Sequence, residues 1–313
     1  MKNNMELAGM LPQHHEGHHH HEPVITGVNR ILIIGILLNL LFVIAEALAG
    51  FLNHSLALLT DAGHNLGDAA GLALALLAFR LSRIRSNDKF TYGYQKTTVL
   101  VALLNTVILL IAIGSIGIEA LHRLVHPVQV RGMVVAAVAG AGIFINGGTA
   151  WLFARESKKE LNMRSAYLHM TADALVSLGV VAAGIVMAYT GWYWMDSLVS
   201  FAIMIVILIS TWGVLSDSLR LSLDGVPRNI DIQEVERAAR NVEGVKDIHH
   251  VHIWAMSTTQ NALTAHVVID KTAGLTGAGM ILHQLRHTME HLNIQHSTFE
   301  METGPGDCGE KTC

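Results

Sequence analysis

Two long stretches without a positive charge constrain the fold of this chain more than any other feature of its sequence. No lysine or arginine occurs from Ile31 to Phe79 or from Ser165 to Leu219. Each stretch is long enough for two crossings of a bilayer, since a membrane-spanning helix needs roughly 20 apolar residues. Of the 313 residues, 51% are hydrophobic and only 15% are charged, which is too apolar for an ordinary soluble domain. We therefore predict a polytopic α-helical membrane protein.

Six apolar segments are long enough to span a membrane, and together they make a membrane domain over residues 30–220. They lie near residues 31–52, 56–80, 97–121, 132–154, 165–189 and 195–217. Basic residues cluster in the second-to-third and fourth-to-fifth connections, at Arg80, Arg83, Arg85, Lys89, Lys96, Arg155, Lys158, Lys159 and Arg164. Because basic loops stay on the cytoplasmic side, we expect a protein of the bacterial inner membrane with both termini in the cytoplasm.

A short pattern occurs twice inside these segments. His64 is followed four residues later by Asp68, and His169 is followed four residues later by Asp173. On a helix, residues i and i+4 project from the same face, so each copy presents an imidazole and a carboxylate to the same point. Two copies on facing helices would supply a four-ligand tetrahedral set that suits zinc. The two carboxylates would also cancel the charge of a divalent ion in the low-dielectric layer.

Other interpretations of these residues stay open on the sequence alone. A single histidine in an apolar helix is more often a hydrogen-bonded packing residue than a ligand, and the matched spacing in two segments is what favours metal. A zinc-dependent intramembrane enzyme or a membrane zinc sensor would use similar ligands, although four protein ligands leave no open position for a catalytic water. Asp61 and Glu46 are also ionisable, and the sequence assigns neither to the site.

Smaller features of the segments predict how the helices are held together. Asp196 precedes the sixth segment and is expected to cap a helix start. Small residues on the second and fifth segments predict close helix contact. They are Gly63, Gly67, Ala69, Ala70, Gly71, Ala172, Ala174 and Gly179. A metal site shared by those two segments would require such an approach.

Histidine is unusually frequent, with 19 copies, while the net charge of −4 argues against nucleic acid as a partner. Residues 1–29 form a polar leader that we expect to be disordered and cytoplasmic. Its histidines, expected to buffer metal loosely without fixed geometry, are His14, His15, His18, His19, His20 and His21.

From residue 221 to residue 303 the pattern is that of a small α+β domain. We predict a helix, two strands, a helix and a third strand near residues 232–242, 247–256, 262–270, 277–292 and 294–302. His249 and His266 lie on neighbouring predicted strands and Glu302 on the third, so a cytoplasmic metal site is expected, with the strand register open. Weaker candidate ligands are His252, His296 and, in a flexible tail over residues 304–313, Cys308 and Cys313.

Several stretches of the chain resemble the cation diffusion facilitator family, particularly its zinc-exporting branch. The two most specific stretches extend from Ser55 to His64, with Asp68 following, and from Asn162 to His169, with Asp173 following. The runs Tyr92–Tyr94 and His249–Trp254 add support. The resemblance covers nearly the whole chain after the leader.

The resemblance implies a homodimer whose six-helix domains export metal from the cytoplasm in exchange for protons. It implies a transport site made of His64, Asp68, His169 and Asp173. It further implies a metallochaperone-like cytoplasmic domain that binds zinc as a structural or regulatory ion, at positions that match His249, His266 and Glu302.

The chain departs from some relatives in the loop between the second and third segments. Those relatives carry another metal site there, with histidine ligands. At the matching places this chain has Phe90 and Tyr94, and Asp88 would be a poor remnant. We therefore do not expect that site in this protein.

Overall fold

The computed structural model describes residues 30–154 and 161–303. Six long helices lie in the part of it before residue 223, within five residues of the predicted segments at each end: α1 Arg30–Leu52, α2 Leu56–Ser82, α3 Thr97–Val125, α4 Gly132–Phe153, α5 Leu161–Thr190 and α6 Trp194–Ser222. Helix α4 packs along α5 and α3 along α6, while α2 contacts α1, α3, α5 and α6. The helices therefore form one bundle, with α2 touching most of the others.

Four of these helices are long and apolar enough to cross a membrane: α3, α6, and the stretches Gly132–Trp151 of α4 and Tyr167–Thr190 of α5. In α1, the side chains are described only from Asn39 onward. The apolar stretch that they form, Asn39–Leu52, is shorter than a full membrane span. Helix α2 carries several polar side chains in its first half, which lowers its hydropathy. A membrane-spanning helical domain is thus confirmed, whereas the count of six crossings stays a prediction for α1 and α2.

Large apolar side chains cover the outside of the bundle. Ile111 and Ile118 of α3, Phe144 of α4 and Ile209 of α6 are between 68% and 83% exposed. Soluble monomers avoid large apolar patches, whereas lipid tails solvate such side chains as well as a protein core does. The surface of the bundle agrees with a multi-pass membrane protein.

The start of helix α2 is held by helix α6. Ser55 is the N-cap residue, and its Oγ accepts a hydrogen bond from Leu58 N at 3.3 Å. Asp196, in the first turn of α6, accepts hydrogen bonds from Ser55 Oγ at 2.5 Å and from Leu56 N at 2.6 Å. The expected role of Asp196 at a helix start holds, but it caps α2 rather than its own helix, because its carboxylate lies at the positive end of the α2 dipole. His64 lies about 13 Å further along α2, so this cap sets its depth in the bundle.

Helix α5 makes its close approach at a different glycine from the predicted one. No described atom lies within 4 Å of the place that a Cβ on Gly179 would take. A Cβ on Gly184, by contrast, would lie 2.7 Å from backbone atoms of α4. A Cβ on Gly67 of α2 would lie 2.7 Å from Leu109 Cδ1 of α3. Of the predicted small residues, Gly67 and Gly179 thus do not bring α2 and α5 together, and α5 instead packs tightly on α4.

The C-terminal part of the described chain is a small α+β domain. Its elements are α7 Ile232–Arg240, β1 Val245–Ala255, β2 Asn261–Ile269, a 3₁₀ turn at Lys271–Ala273, α8 Gly274–His291 and β3 His296–Glu302. The sheet order is β1-β2-β3, with β1 antiparallel and β3 parallel to β2. Both helices pack on the sheet through a core that includes Val235, Leu263, Leu285 and Ile294. The predicted αββαβ order is confirmed.

The beginning of α3 contacts the C-terminal domain. Lys96 Nζ lies 2.5 Å from Asp224 Oδ1 and 2.9 Å from Ala255 O. Thr258 N donates a hydrogen bond to Thr98 Oγ1 at 3.1 Å. The domain therefore sits at the end of the bundle where the basic α2–α3 connection lies.

Candidate metal sites

Helices α2 and α5 bring the two histidine–aspartate pairs together. His64 Nε2 lies 3.6 Å from Asp68 Oδ2 in its own helix and 3.9 Å from Asp173 Oδ1 of α5. His169 Nε2 lies 3.6 Å from Asp173 Oδ2 and 3.0 Å from Asp68 Oδ2. The four side chains that the sequence predicts as ligands therefore converge on one small volume between two helices.

The separations between imidazoles and carboxylates are close to those of a tetrahedral metal site. Ligand atoms of His64, His169 and Asp173 all lie within 4.8 Å of one another, whereas Asp68 approaches the two imidazoles but lies outside that set of three. Zinc bonds of about 2.0–2.2 Å place neighbouring ligand atoms about 3.3–3.6 Å apart, and the observed distances are 3.0–3.9 Å. Asp173 Oδ2 is a buried atom without a hydrogen bond from any described residue, and Asp68 Oδ2 is a buried atom that lies 3.0 Å from His169 Nε2. Their lone pairs are thus available to a cation.

The site is closed on one side and open on the other. The exposed fraction of the side chain is 6% for Asp173 and 16% for His64, but 39% for Asp68 and 42% for His169. An ionised carboxylate buried as deeply as Asp173 is costly unless a positive charge compensates it. A divalent cation entering from the side of Asp68 and His169 would provide that charge.

Two further carboxyl groups, which the sequence did not assign, lie behind the site. Asp61 is 2% exposed, and its Oδ2 accepts a hydrogen bond from Ser177 Oγ of α5 at 3.3 Å. Glu46 of α1 is fully buried beside Asp61. Two ionised carboxylates do not share a dry pocket unless a proton or cation accompanies them. Asp61 lies one turn before His64, so helical spacing could have pointed to it, whereas no pattern in the sequence marks Glu46.

A second group of ligand-type side chains lies in the C-terminal sheet. His249 of β1 pairs with His266 of β2, and Val268, two residues further along β2, pairs with Glu302 of β3. His266 Nδ1 lies 2.8 Å from Glu302 Oε1, and His249 Nε2 lies 3.6 Å from Glu302 Oε2. The ligand atoms of the three residues all lie within 4.8 Å of one another. The strand register thus brings the three predicted residues together.

The remaining candidate ligands lie apart from this C-terminal cluster. His252 is exposed and pairs with Thr264, further along β1. His296 begins β3 and packs its ring against Tyr92, with the centroids 5.3 Å apart. The structure brings neither of them to Glu302. The predictions for Cys308, Cys313 and the six leader histidines fall outside the described residues.

Comparison with known sequences decides the family. The sequence model of the cation efflux transmembrane domain matches residues 32–221, and that of the cation efflux protein cytoplasmic domain matches residues 227–303. The chain belongs to the cation efflux family. The resemblance to cation diffusion facilitators, stated from the motifs, is thereby confirmed.

Relatives of this cation efflux protein are similar over most of their length. The cadmium, cobalt and zinc/H(+)-K(+) antiporter of Bacillus subtilis is 36% identical over 290 residues, which cover 92% of each chain. Zinc transporter ZitB of Escherichia coli is 37% identical over 271 residues, or 84% of each chain. Metal cation efflux system protein CzcD of Cupriavidus metallidurans is 35% identical over 290 residues, 92% of this chain and 90% of CzcD. The cation efflux protein is therefore a metal-cation transporter, and not an enzyme.

The loop between α2 and α3 of this cation efflux protein does not gather metal ligands. In the described part of the chain, ligand-type side chains converge at the two clusters above. Phe90 and Tyr94 instead pack their rings together, with centroids 4.8 Å apart. The expectation that no metal site lies in this loop stays a prediction.

Proposed function

We propose that this protein exports Zn²⁺ from the cytoplasm in exchange for protons, through a tetrahedral site made of His64, Asp68, His169 and Asp173. The observation that carries the proposal is the convergence of two imidazoles and two carboxylates at 3.0–3.9 Å between α2 and α5. The names of the relatives, which include zinc transporters and an antiporter that uses protons, support it.

Ligand chemistry couples the two ions. Zinc binds when both imidazoles are neutral and both carboxylates are ionised, so loading the site releases protons. An imidazole with an ordinary pKa of about 6.5 regains its proton when the site opens to an acidic exterior. Metal and protons then occupy the same four residues in turn. Alternate opening of the bundle to the two sides would convert this competition into antiport.

The ligand set also favours some metals over others. Two nitrogen and two oxygen ligands in a compact tetrahedron suit zinc. Mg²⁺ prefers six oxygen ligands and retains its water. Cobalt remains compatible by ligand type, and the Bacillus subtilis relative is named for cadmium, cobalt and zinc. We therefore propose zinc as the main substrate within a range of divalent transition metals.

The C-terminal cluster is proposed as a separate zinc site, with a structural or regulatory ion. Glu302 Oε2 is a buried oxygen that accepts no hydrogen bond from the described residues, and an anionic oxygen in that position is stabilised by a cation. His249 and His266 would hold the ion together with Glu302. When bound, the ion would cross-link all three strands of the sheet.

The arrangement in the cell is proposed from charge and domain order. The basic α2–α3 connection lies beside the C-terminal domain, so we propose that both termini face the cytoplasm of a bacterium and that the helices cross its inner membrane. We also propose a homodimer, as the resemblance to the family implies. Zinc and protons are the transported ions, and lipid is the solvent of the bundle.

Transport into proteoliposomes tests the proposal directly. Vesicles with an acidic interior and a zinc-sensitive dye should take up zinc and lose protons together. The variants Asp68→Ala and Asp173→Ala should insert but show no uptake, whereas His122→Ala, an exposed histidine at the end of α3, should behave as the unmodified protein. Undiminished uptake by either aspartate variant would contradict the ligand assignment. Zinc uptake without proton release would contradict antiport.

A further inference from the structure

Strand β1 contains a bulge inside the cytoplasmic cluster. Between the pair His249–His266 and the pair His252–Thr264, β1 advances by three residues while β2 advances by two. The extra residue on one strand defines a β-bulge. Within it, His250 has a φ of 50°, in the left-handed region that residues other than glycine seldom adopt. Such conformations often occur at functional sites.

The bulge changes the face of the sheet on which His250 lies. In a regular strand, successive side chains point to opposite faces, so His250 would lie across the sheet from His249. Instead, the ring centroid of His250 lies 5.3 Å from that of His249 and 5.1 Å from that of His266. The centroids of His249 and His266 are 5.4 Å apart. The ring centroids of the three imidazoles therefore form a nearly equilateral triangle on the side of the sheet that carries Glu302. Ligand atoms of His249, His266 and Glu302 lie within 4.8 Å of one another, and those of His250 lie outside this set, so His250 would have to turn its ring to reach a shared ion.

The size of this triangle matches imidazoles that share one metal ion. A zinc–nitrogen bond of about 2.0–2.1 Å places the ring centroid about 3.2 Å from the metal. At a tetrahedral angle, two such centroids are about 5.2 Å apart. The three observed separations, 5.1, 5.3 and 5.4 Å, lie within 0.2 Å of that value.

We propose that His250 is a third imidazole ligand of the cytoplasmic zinc site, which completes a set of three histidines and one carboxylate with His249, His266 and Glu302. The inference rests on the cytoplasmic zinc site proposed above. A set rich in imidazole binds zinc, cobalt, nickel and copper and disfavours Mg²⁺ and Mn²⁺, which prefer oxygen. The left-handed bulge is then the feature of the backbone that makes the fourth ligand possible.

Zinc affinity of the full chain tests this ligand. The intramembrane site is first disabled by Asp68→Ala and Asp173→Ala, and zinc is titrated in competition with a chromogenic chelator. His250→Asn is the informative change, because asparagine tolerates the left-handed conformation and is a poor zinc ligand. It should weaken binding at the cytoplasmic site about 100-fold, as expected for the loss of one of four ligands. His283→Asn, on the exposed face of α8, should leave the affinity unchanged. The leader histidines contribute equally to every variant.

The number of imidazoles around zinc provides a second readout. X-ray absorption of the same background loaded with one equivalent of zinc should report three imidazoles, and two in His250→Asn. If His249→Ala leaves zinc affinity unchanged, the cytoplasmic site itself is wrong. The other informative outcome is that His249→Ala weakens zinc binding while His250→Asn has the same zinc affinity and the same number of imidazoles as the control His283→Asn. In that case the cytoplasmic site stands, but His250 is not one of its ligands.

Discussion

The intramembrane and cytoplasmic clusters use the same kinds of ligand but are built in different ways. Each intramembrane pair, such as His64 and Asp68, is made by one helix, and the packing of two helices brings the pairs together. In the cytoplasmic cluster, His249, His266 and Glu302 come one each from three strands, and the proposed fourth ligand, His250, joins them through the bulge in β1 and not by regular spacing. Small helix movements would therefore open the first cluster, whereas hydrogen-bonded strands hold the second in place.

The two clusters also differ in charge. Two aspartates make the intramembrane site neutral when it holds a divalent ion, which suits an ion that must enter and leave a low-dielectric layer. The cytoplasmic cluster pairs several imidazoles with Glu302, whose side chain is 15% exposed. On the proposed function, the first site is built for exchange of its ion and the second for retention.

Removing a carboxylate from each cluster should give the largest and most distinct effects. Asp173→Ala should weaken intramembrane zinc binding about 100-fold and stop transport, because it removes a ligand and half of the compensating charge. Glu302→Ala should weaken only cytoplasmic binding and retain transport. Isothermal titration and vesicle uptake of both variants check this. Loss of transport in Glu302→Ala with the intramembrane affinity intact would show that the two sites do not act separately.

Each region contains an aspartate that caps a helix, and the two caps should differ in strength. Asp196→Ala should destabilise the protein by about 2–3 kcal/mol, because it leaves buried donors at the start of α2 without an acceptor. Asp231→Ala, which removes the bond from Gln233 N at the exposed start of α7, should cost about 1 kcal/mol. Thermal unfolding in detergent compares them. Equal shifts in the unfolding temperature of the two variants would mean that burial does not make the α2 cap more stabilising than the α7 cap.

Of two glycines in α5, only one should be needed for the stability of the helix bundle, because only one lies against the backbone of another helix. Gly184→Ala should cost about 2 kcal/mol, because its Cβ would press on the backbone of α4. Gly179→Ala meets open space and should be neutral or slightly stabilising, since alanine favours helix. The intramembrane zinc affinity should fall only in the first variant, which titration can show. A loss of zinc affinity in Gly179→Ala would contradict the claim that the contact of Gly184 with α4, and not Gly179, positions the site.

The smallest effect concerns an exposed ion pair in the cytoplasmic domain. Burial opposes ionisation of Asp247, but hydrogen bonds from Arg240 and from Ile248 N outweigh it and hold its pKa below the ordinary 3.8. A lowered pKa stabilises the fold above that value, and the contribution is lost as the pH falls through the lowered pKa. Asp247→Asn should thus cost less than about 0.5 kcal/mol at neutral pH and nothing in strong acid.

Unfolding of Asp247→Asn between pH 7 and about pH 3 checks this sign. Glu243→Gln, an exposed neighbour for which no hydrogen bond or ion pair is described, serves as the control. A difference between Asp247→Asn and the unmodified protein that grew toward low pH would contradict the argument.

The intramembrane cluster could be predicted in detail because helical spacing is local. His64 and Asp68 project from one face whatever the rest of the chain does, and the same holds for His169 and Asp173. The order of elements in the C-terminal domain was equally accessible, since period and turn residues determine it over short windows.

Features that depend on distant parts of the chain could not be predicted in this way. The partner of Asp196 lies 141 residues away, at Ser55. The place where α5 approaches α4, Gly184, depends on how two helices pack and not on the glycine alone. The bulge at His250 depends on strand register, which sequence patterns specify weakly, so its side chain would have been placed on the opposite face.

The most direct test of the central claim is the position of zinc in the protein. Anomalous scattering from zinc-loaded crystals should show an ion between α2 and α5, about 2.0–2.2 Å from nitrogen or oxygen atoms of all four ligands. The same peak should vanish in Asp68→Ala. Zinc found in the cytoplasmic domain and absent from the space between His64 and Asp173, in protein that transports zinc, would contradict the account.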